Sequence, residues 1–220
     1  MVTNPMSLSG KKILAVGSGS SLDKVIVQTL RDLGADVCVM ETGADITAGF
    51  GEFPFDGFFW GCVHSDFRPL KMVSHENMEQ IMNDNYFGFI DLLRDLIKQK
   101  RIAKNASIVA MSSISSIRAM KAKMAFSAAK AALDASIRSL ALELAPKGIR
   151  INSVQKGAVD VDFEKGHIQA VSTINDDMAS SQVLGLTIAS EIANIVAFLL
   201  SDATKTMTGT SIVIDGGYTL

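Results

Sequence analysis

Lys130 lies four residues beyond Phe126 in the stretch MAFSAAKAAL, residues 124–133. On a helix that spacing is one turn, so both side chains project from the same face. An ammonium at 130 would favour the ionised form of a phenol at 126 and lower its pKa. A positioned acid of that kind could supply a proton to a group that becomes more basic as it reacts. Position 126 is phenylalanine, however, which has no hydroxyl. Lys130 is then left with nothing to tune. Only two tyrosines exist in the chain. Tyr86 follows Asn85 in one helix, about 100° round its axis, so it should face elsewhere. Tyr218 is close to the C-terminus. Ser127 has the same angular problem as Tyr86 and is a far weaker acid than a phenol. Lys130 itself could donate if desolvation lowered its pKa.

The elements that must hold these groups alternate between strand and helix. KKILAVG reads as a buried strand ending at Gly17, ADVCVM as a second and DGFFWGCV as a third. ASIVAMSS is a fourth, GIRINSV a fifth and SIVIDGG the last. Between them lie a helix striped by Val25, Ile26, Thr29, Leu30 and Leu33, closed by Gly34, and a long helix over about 74–100. Two more follow, over 125–144 and about 189–200. Continuous apolar strands alternating with amphipathic helices predict a parallel sheet covered on both faces. Right-handed crossovers make it doubly wound. Such sheets bind ligands at the carboxyl ends of their strands. Those ends carry Gly17-Ser18-Gly19, Glu41, Val63, Ser112-Ser113 and Gln155-Lys156-Gly157.

Composition narrows the function classes. The chain has 220 residues, 48% hydrophobic and 20% charged, which suits a single globular domain over 1–220. A net charge of -2, with Lys and Arg spread along the chain, gives no nucleic-acid footprint. The first residues hold no stretch of signal-peptide length, and apolar runs such as IVAFLL are too short to span a bilayer. A cytoplasmic location is expected, with reduced, buried thiols at Cys38 and Cys62. His64, His75 and His167 show no metal-ligand spacing.

From ASIVAMSS through LALELAPKGIRINSV, and again in SEIANIVAFLLSD and TGTSIVIDGGYTL, the chain resembles the short-chain dehydrogenase/reductase family. The resemblance covers essentially the whole length. It implies a Rossmann-like α/β domain, NAD or NADP as cofactor, and hydride transfer at a carbonyl or alcohol. It also implies roles for Asn85 in NDNYFGF, Ser113 in MSSIS and Lys130 in FSAAK, with Phe126 standing at the family's general acid tyrosine. Only ETGADITAGFGEFPFDG separates the second and third strands, too short for a further βα unit, so a sheet with one strand fewer than usual is expected. Within it, Asp45 and Ile46 resemble the pair that holds adenine.

The cofactor positions depart from the family pattern. Aligned on Gly17, the phosphate loop reads GSGSSLD, with Ser21 and Asp23 at the second and third glycine positions and Gly19 one place off. Asp23 in the first helical turn suits the helix dipole, and it puts negative charge where a pyrophosphate would lie. Val63 stands where a glycine leaves room beside the cofactor ribose. The Pro-Gly-Thr after the fifth strand appears as Lys156-Gly157 with Val161; Lys156 reads first as a solvated loop residue, and pointing inward it would favour an anion. Glu41 suits the ribose hydroxyls of NAD and repels the 2′-phosphate of NADP, so NAD is the expected cofactor if one binds, with weak or absent binding. Trp60, the single tryptophan, is expected at the crevice as a fluorescent reporter of a bound dinucleotide.

Three functions follow. The first is a divergent family member with ordinary NAD(P)-dependent hydride transfer lost or strongly impaired, acting as a binding or accessory subunit. The second is an active NAD-dependent oxidoreductase of a carbonyl or alcohol that uses a substitute proton donor. The third is a non-redox enzyme using Ser113, Asn85 and Lys130. The four departures set against an intact framework favour the first. The lid region, about 158–186, gives no hint of a substrate. The helices over 74–100 and 125–144, with the small-residue run AFSAAKAALDAS, are expected to pair with their copies in a homodimer or homotetramer.

Overall fold

A computed structural model describes residues 4–41, 54–160 and 181–220. Strand β1 (Lys12–Gly17) carries an apolar run that supplies both faces of the sheet. Successive side chains alternate, so Ile13 and Ala15 enter one core cluster and Leu14 and Val16 the other. Helix α1 (Ser21–Asp32) starts at Ser20, whose hydroxyl caps the Asp23 amide. Its buried stripe of Leu22, Ile26, Val27 and Leu30 packs on the first cluster. Each such side chain contributes roughly 2 kcal/mol on burial.

Strands β2 (Asp36–Glu41), β3 (Phe55–Trp60), β4 (Ile102–Ser113), β5 (Arg150–Lys156) and β6 (Ser211–Ile214) complete the sheet. The order is β2-β1-β3-β4-β5-β6, with every pair parallel. Six strands among the described residues are the six read from the apolar runs. The winding reverses at β1, which lies between β2 and β3, so the carboxyl ends of β1 and β3 flank the crevice. Helices α1 and α5 (Ala189–Leu200) cover one face. Helices α3 (Gly88–Lys98) and α4 (Met124–Leu144) cover the other.

The helix expected over 74–100 is a composite. Ser74 caps α2 (His75–Met82), a π-turn follows over Asn83–Phe87, and α3 then continues. The extra residue of the π-turn lies where Asn85 turns inward. Gly88 leaves that turn against the Trp60 ring: a β-carbon there would meet Asn83 O at 3.0 Å and the indole at 3.3 Å. No helix among the described residues is long and apolar enough to cross a membrane.

Candidate active-site crevice

The β1–α1 loop is filled from within. Gly19 adopts φ +73°, a left-handed turn natural to glycine. The Ser18 and Ser20 amides both donate to Asp23 Oδ2 at 3.1 Å, and the Ser18 hydroxyl donates to it at 3.2 Å. The Asp23 amide in turn donates to Ser20 Oγ at 3.1 Å. Asp23 is 7% exposed, an unusual state for a carboxylate in a helix's first turn. A β-carbon on Gly17 would lie 2.8 Å from its carboxyl carbon, and one on Gly61 would lie 2.5 Å from Oδ1. The loop's donors, the two serine amides and the Ser18 hydroxyl, are thus committed to a side chain of the chain itself. Ser21 is exposed at the start of α1. Glu41, also exposed, pairs in register with Gly17 at the neighbouring strand tip.

At the exit of β3 the chain is packed rather than open. Trp60 is not a crevice residue as the sequence suggested. It is 2% exposed, its ring centroid 5.9 Å from that of Phe89, because strand alternation turns it into the layer under α3 and α4. Its indole nitrogen has no hydrogen-bond partner among the described residues. Burial pushes the Cys62 thiol up to about 12, with the Asp23 charge adding to the effect. Val63 packs against both the α1 layer and the small cluster of Ile81, Phe126 and Ala129.

Asn85 is spent on the backbone. Its side-chain nitrogen donates to His64 O at 2.8 Å and Ile81 O at 2.9 Å, and its oxygen accepts from His64 N at 3.1 Å. The His64 ring meets Asp84 Oδ2 at 2.5 Å. Tyr86 points away, its hydroxyl 3.0 Å from Ser136 Oγ on α4.

Lys130 and Phe126 do share a helix face. Lys130 is wholly buried, and Nζ donates to Met111 O at 3.0 Å and Cys62 O at 3.2 Å. It thereby ties α4 to the tips of β3 and β4. Burial pushes the amine down to about 7, and Lys156 nearby adds to that. The ammonium stands 5.7 Å from the centre of the Phe126 ring, and Lys123 stands 5.4 Å from it. Ser113 Oγ donates to Ser115 Oγ at 3.2 Å and accepts from Ser115 N at 3.1 Å. Beneath them Asp134, one turn after Lys130, accepts from Ser112 Oγ, Ser153 Oγ and Gln155 Nε2 at 2.7 to 3.0 Å.

Lys156 corrects the sequence reading. It lies within β5, 8% exposed and in register with Ser113, not on a solvated loop. The sheet simply runs two residues further than GIRINSV suggested. Gly157 follows with its space taken: a β-carbon would meet Gln182 Oε1 at 2.7 Å. That amide pairs with Ala158, accepting from its nitrogen at 2.7 Å. Tyr218 packs near Ala158, with the Arg118 guanidinium 4.6 Å from its ring centre. Asp45, Ile46 and Val161 fall outside the described residues. Gln182, Asp134 and Lys123 escaped the sequence reading. Buried polar residues in turns and helices carry no local pattern to reveal them.

Comparison with known proteins agrees with this architecture. Residues 32–219 match the family model described as Enoyl-(Acyl carrier protein) reductase. The chain is 29% identical over 187 residues to an uncharacterized oxidoreductase, YmfI, of Bacillus subtilis, across 84% of this chain and 76% of that protein. It is 24% identical to (+)-borneol dehydrogenase 2 of Salvia officinalis, across 98% of this chain and 91% of the relative. A short chain dehydrogenase family protein from Francisella tularensis superposes with a TM-score of 0.80 at 26% identity, covering 95% of this chain and 98% of that one. A putative 2-deoxy-D-gluconate 3-dehydrogenase from Agrobacterium tumefaciens, solved with NADP bound, shares the fold at a TM-score of 0.86 and 22% identity, covering 99% of each chain. A strand order with its reversal at β1, a glycine-led loop beneath α1 and a lysine buried beside the tips of β3 and β4 match what those kinships imply: the chain belongs to the short-chain dehydrogenase/reductase family of oxidoreductases.

Proposed function

We propose that this protein is a divergent member of its family in which ordinary NAD(P)-dependent hydride transfer is lost or strongly impaired, and that it acts as a binding or accessory subunit. The observation that carries the reading is the pair Lys130 and Phe126. The amine gives hydrogen bonds to two backbone carbonyls and faces a hydrocarbon ring at 5.7 Å. No phenol stands between it and the crevice, so a developing alkoxide would lack its acid. Asn85 and Ser113 keep their family positions on this reading, yet their polar atoms are engaged by His64, Ile81 and Ser115. Asp23 in the phosphate loop and Val63 in the Phe126 cluster support weak or absent dinucleotide binding, with NAD favoured over NADP by Glu41. Ser21, Gly19 and Gly157 would border that cofactor position.

Assembly as a homodimer or homotetramer through α3 and α4 belongs to the same proposal. Leu142 is 81% exposed on α4, and Phe87 is exposed at the start of α3. A monomer at every concentration in ultracentrifugation would refute it.

A second reading, an active NAD-dependent oxidoreductase, is favoured by the dehydrogenase names of relatives and by the Lys130 amine held at about 7. Turnover separates the two. Wild-type protein with reduced dinucleotides and a panel of carbonyl compounds should give no dinucleotide-dependent reduction. Steady-state reduction abolished by Lys130→Met would establish the second reading instead.

A further inference from the structure

The loop between β1 and α1 keeps the features of an anion receptor. Ser18 and Ser20 turn their amides to one point, Gly19 supplies the left-handed bend, and the Ser18 hydroxyl adds a third donor. All three converge on Oδ2 of Asp23. Its second oxygen, Oδ1, lies against the backbone of Gly61 at the exit of β3. We propose that the Asp23 carboxylate is the built-in occupant of this receptor, standing where a dinucleotide's pyrophosphate would bind and closing the loop to it.

This deepens the proposed function and rests on its cofactor half. A pyrophosphate reaching the Ser18 and Ser20 amides must first displace the carboxylate. Asp23 is 7% exposed, so a displaced carboxylate would be stranded in a buried place with its donors gone. The incoming group also carries the same sign of charge. The two glycines take on a new meaning under this proposal. The three atoms nearest a β-carbon on Gly17 would be the Asp23 carboxyl group, so that glycine makes room for the side chain and not for a ligand. A surface carboxylate that only capped the helix would need neither this burial nor the contact with Gly61.

Calorimetric titration of NAD, NADH, NADP, NADPH and inorganic pyrophosphate tests the proposal on wild type, Asp23→Gly and Asp23→Ala. Wild type should show no saturable heat, and the two vacated variants should bind pyrophosphate or a dinucleotide at least tenfold more tightly. Folded variants that gain nothing over an inert wild type overturn the occupant and leave the proposed function standing. Saturable binding by wild type overturns both. Backbone amide resonances of wild type cover the event that neither variant folds. The Ser18 and Ser20 signals should ignore added pyrophosphate; shifts that saturate with it would sink the proposal.

Discussion

The three atoms nearest the place a β-carbon would occupy on Gly17 are the carboxyl carbon and two oxygens of Asp23, at 2.8 to 3.1 Å. Gly17→Ala should therefore destabilise the protein by about 2 kcal/mol, the usual cost of overpacking a close contact. Asp23→Gly alone keeps the Ser20 cap but loses the carboxylate's half of the capping box and places a glycine in the helix, and it should cost about 1 kcal/mol. Combined, the two should cost less than their sum, because the clash disappears with the carboxylate. Urea unfolding of the four proteins in a double-mutant cycle measures that coupling.

Lys130 makes stability depend on pH in a defined direction. Its folded pKa of about 7 lies below the ordinary 10.5, so between those values the unfolded chain holds a proton that the folded chain has released. Stability then rises with pH, by about 2 kcal/mol from pH 7 to pH 9. Above the ordinary thiol value of 9.0, Cys62 opposes the rise. Its folded pKa near 12 means the folded chain keeps a proton that the unfolded chain gives up. Urea midpoints measured across this range should climb and then level, and Lys130→Met should remove the climb.

The two thiols should differ in chemical reach. Cys62 is buried and its thiolate is disfavoured up to about 12, whereas Cys38 is half-buried with a smaller upward shift from desolvation. A disulfide reagent at neutral pH should modify Cys38 slowly in the folded protein and Cys62 only after denaturation. Mass spectrometry of the modified peptides reads this out.

Phe126→Tyr alone should give no gain in carbonyl reduction, because the loop still holds its carboxylate. The double variant Asp23→Gly with Phe126→Tyr supplies both the opened loop and a phenol one turn from Lys130. It should reduce a generic ketone with NADH at least tenfold faster than either single variant, in a steady-state assay following NADH oxidation. A gain from Phe126→Tyr alone would show that the cofactor already binds.

Much of this was legible in the residues. The six strands were marked by apolar runs, and α4 and α5 by stripes at helical spacing, because burial on a two-sided sheet demands them. Asp23 was legible as a misfit in a glycine position, although its burial against Gly61 depends on β3 meeting β1. The π-turn at Asn85 was hidden, since one added residue leaves the apolar periodicity on either side intact. Lys156 was misread because lysine is seldom buried, and only the register with Ser113 puts it inside the sheet. Trp60 was misplaced for a similar reason: strand alternation decides which layer it enters, and a continuous apolar run does not declare that alternation.

The central claim is tested most directly by titrating wild-type protein into NADH and following the dinucleotide's own fluorescence anisotropy, since buried Trp60 is a poor reporter. The account predicts a flat trace with millimolar protein sites present. A saturable rise, competed away by NAD, would contradict it.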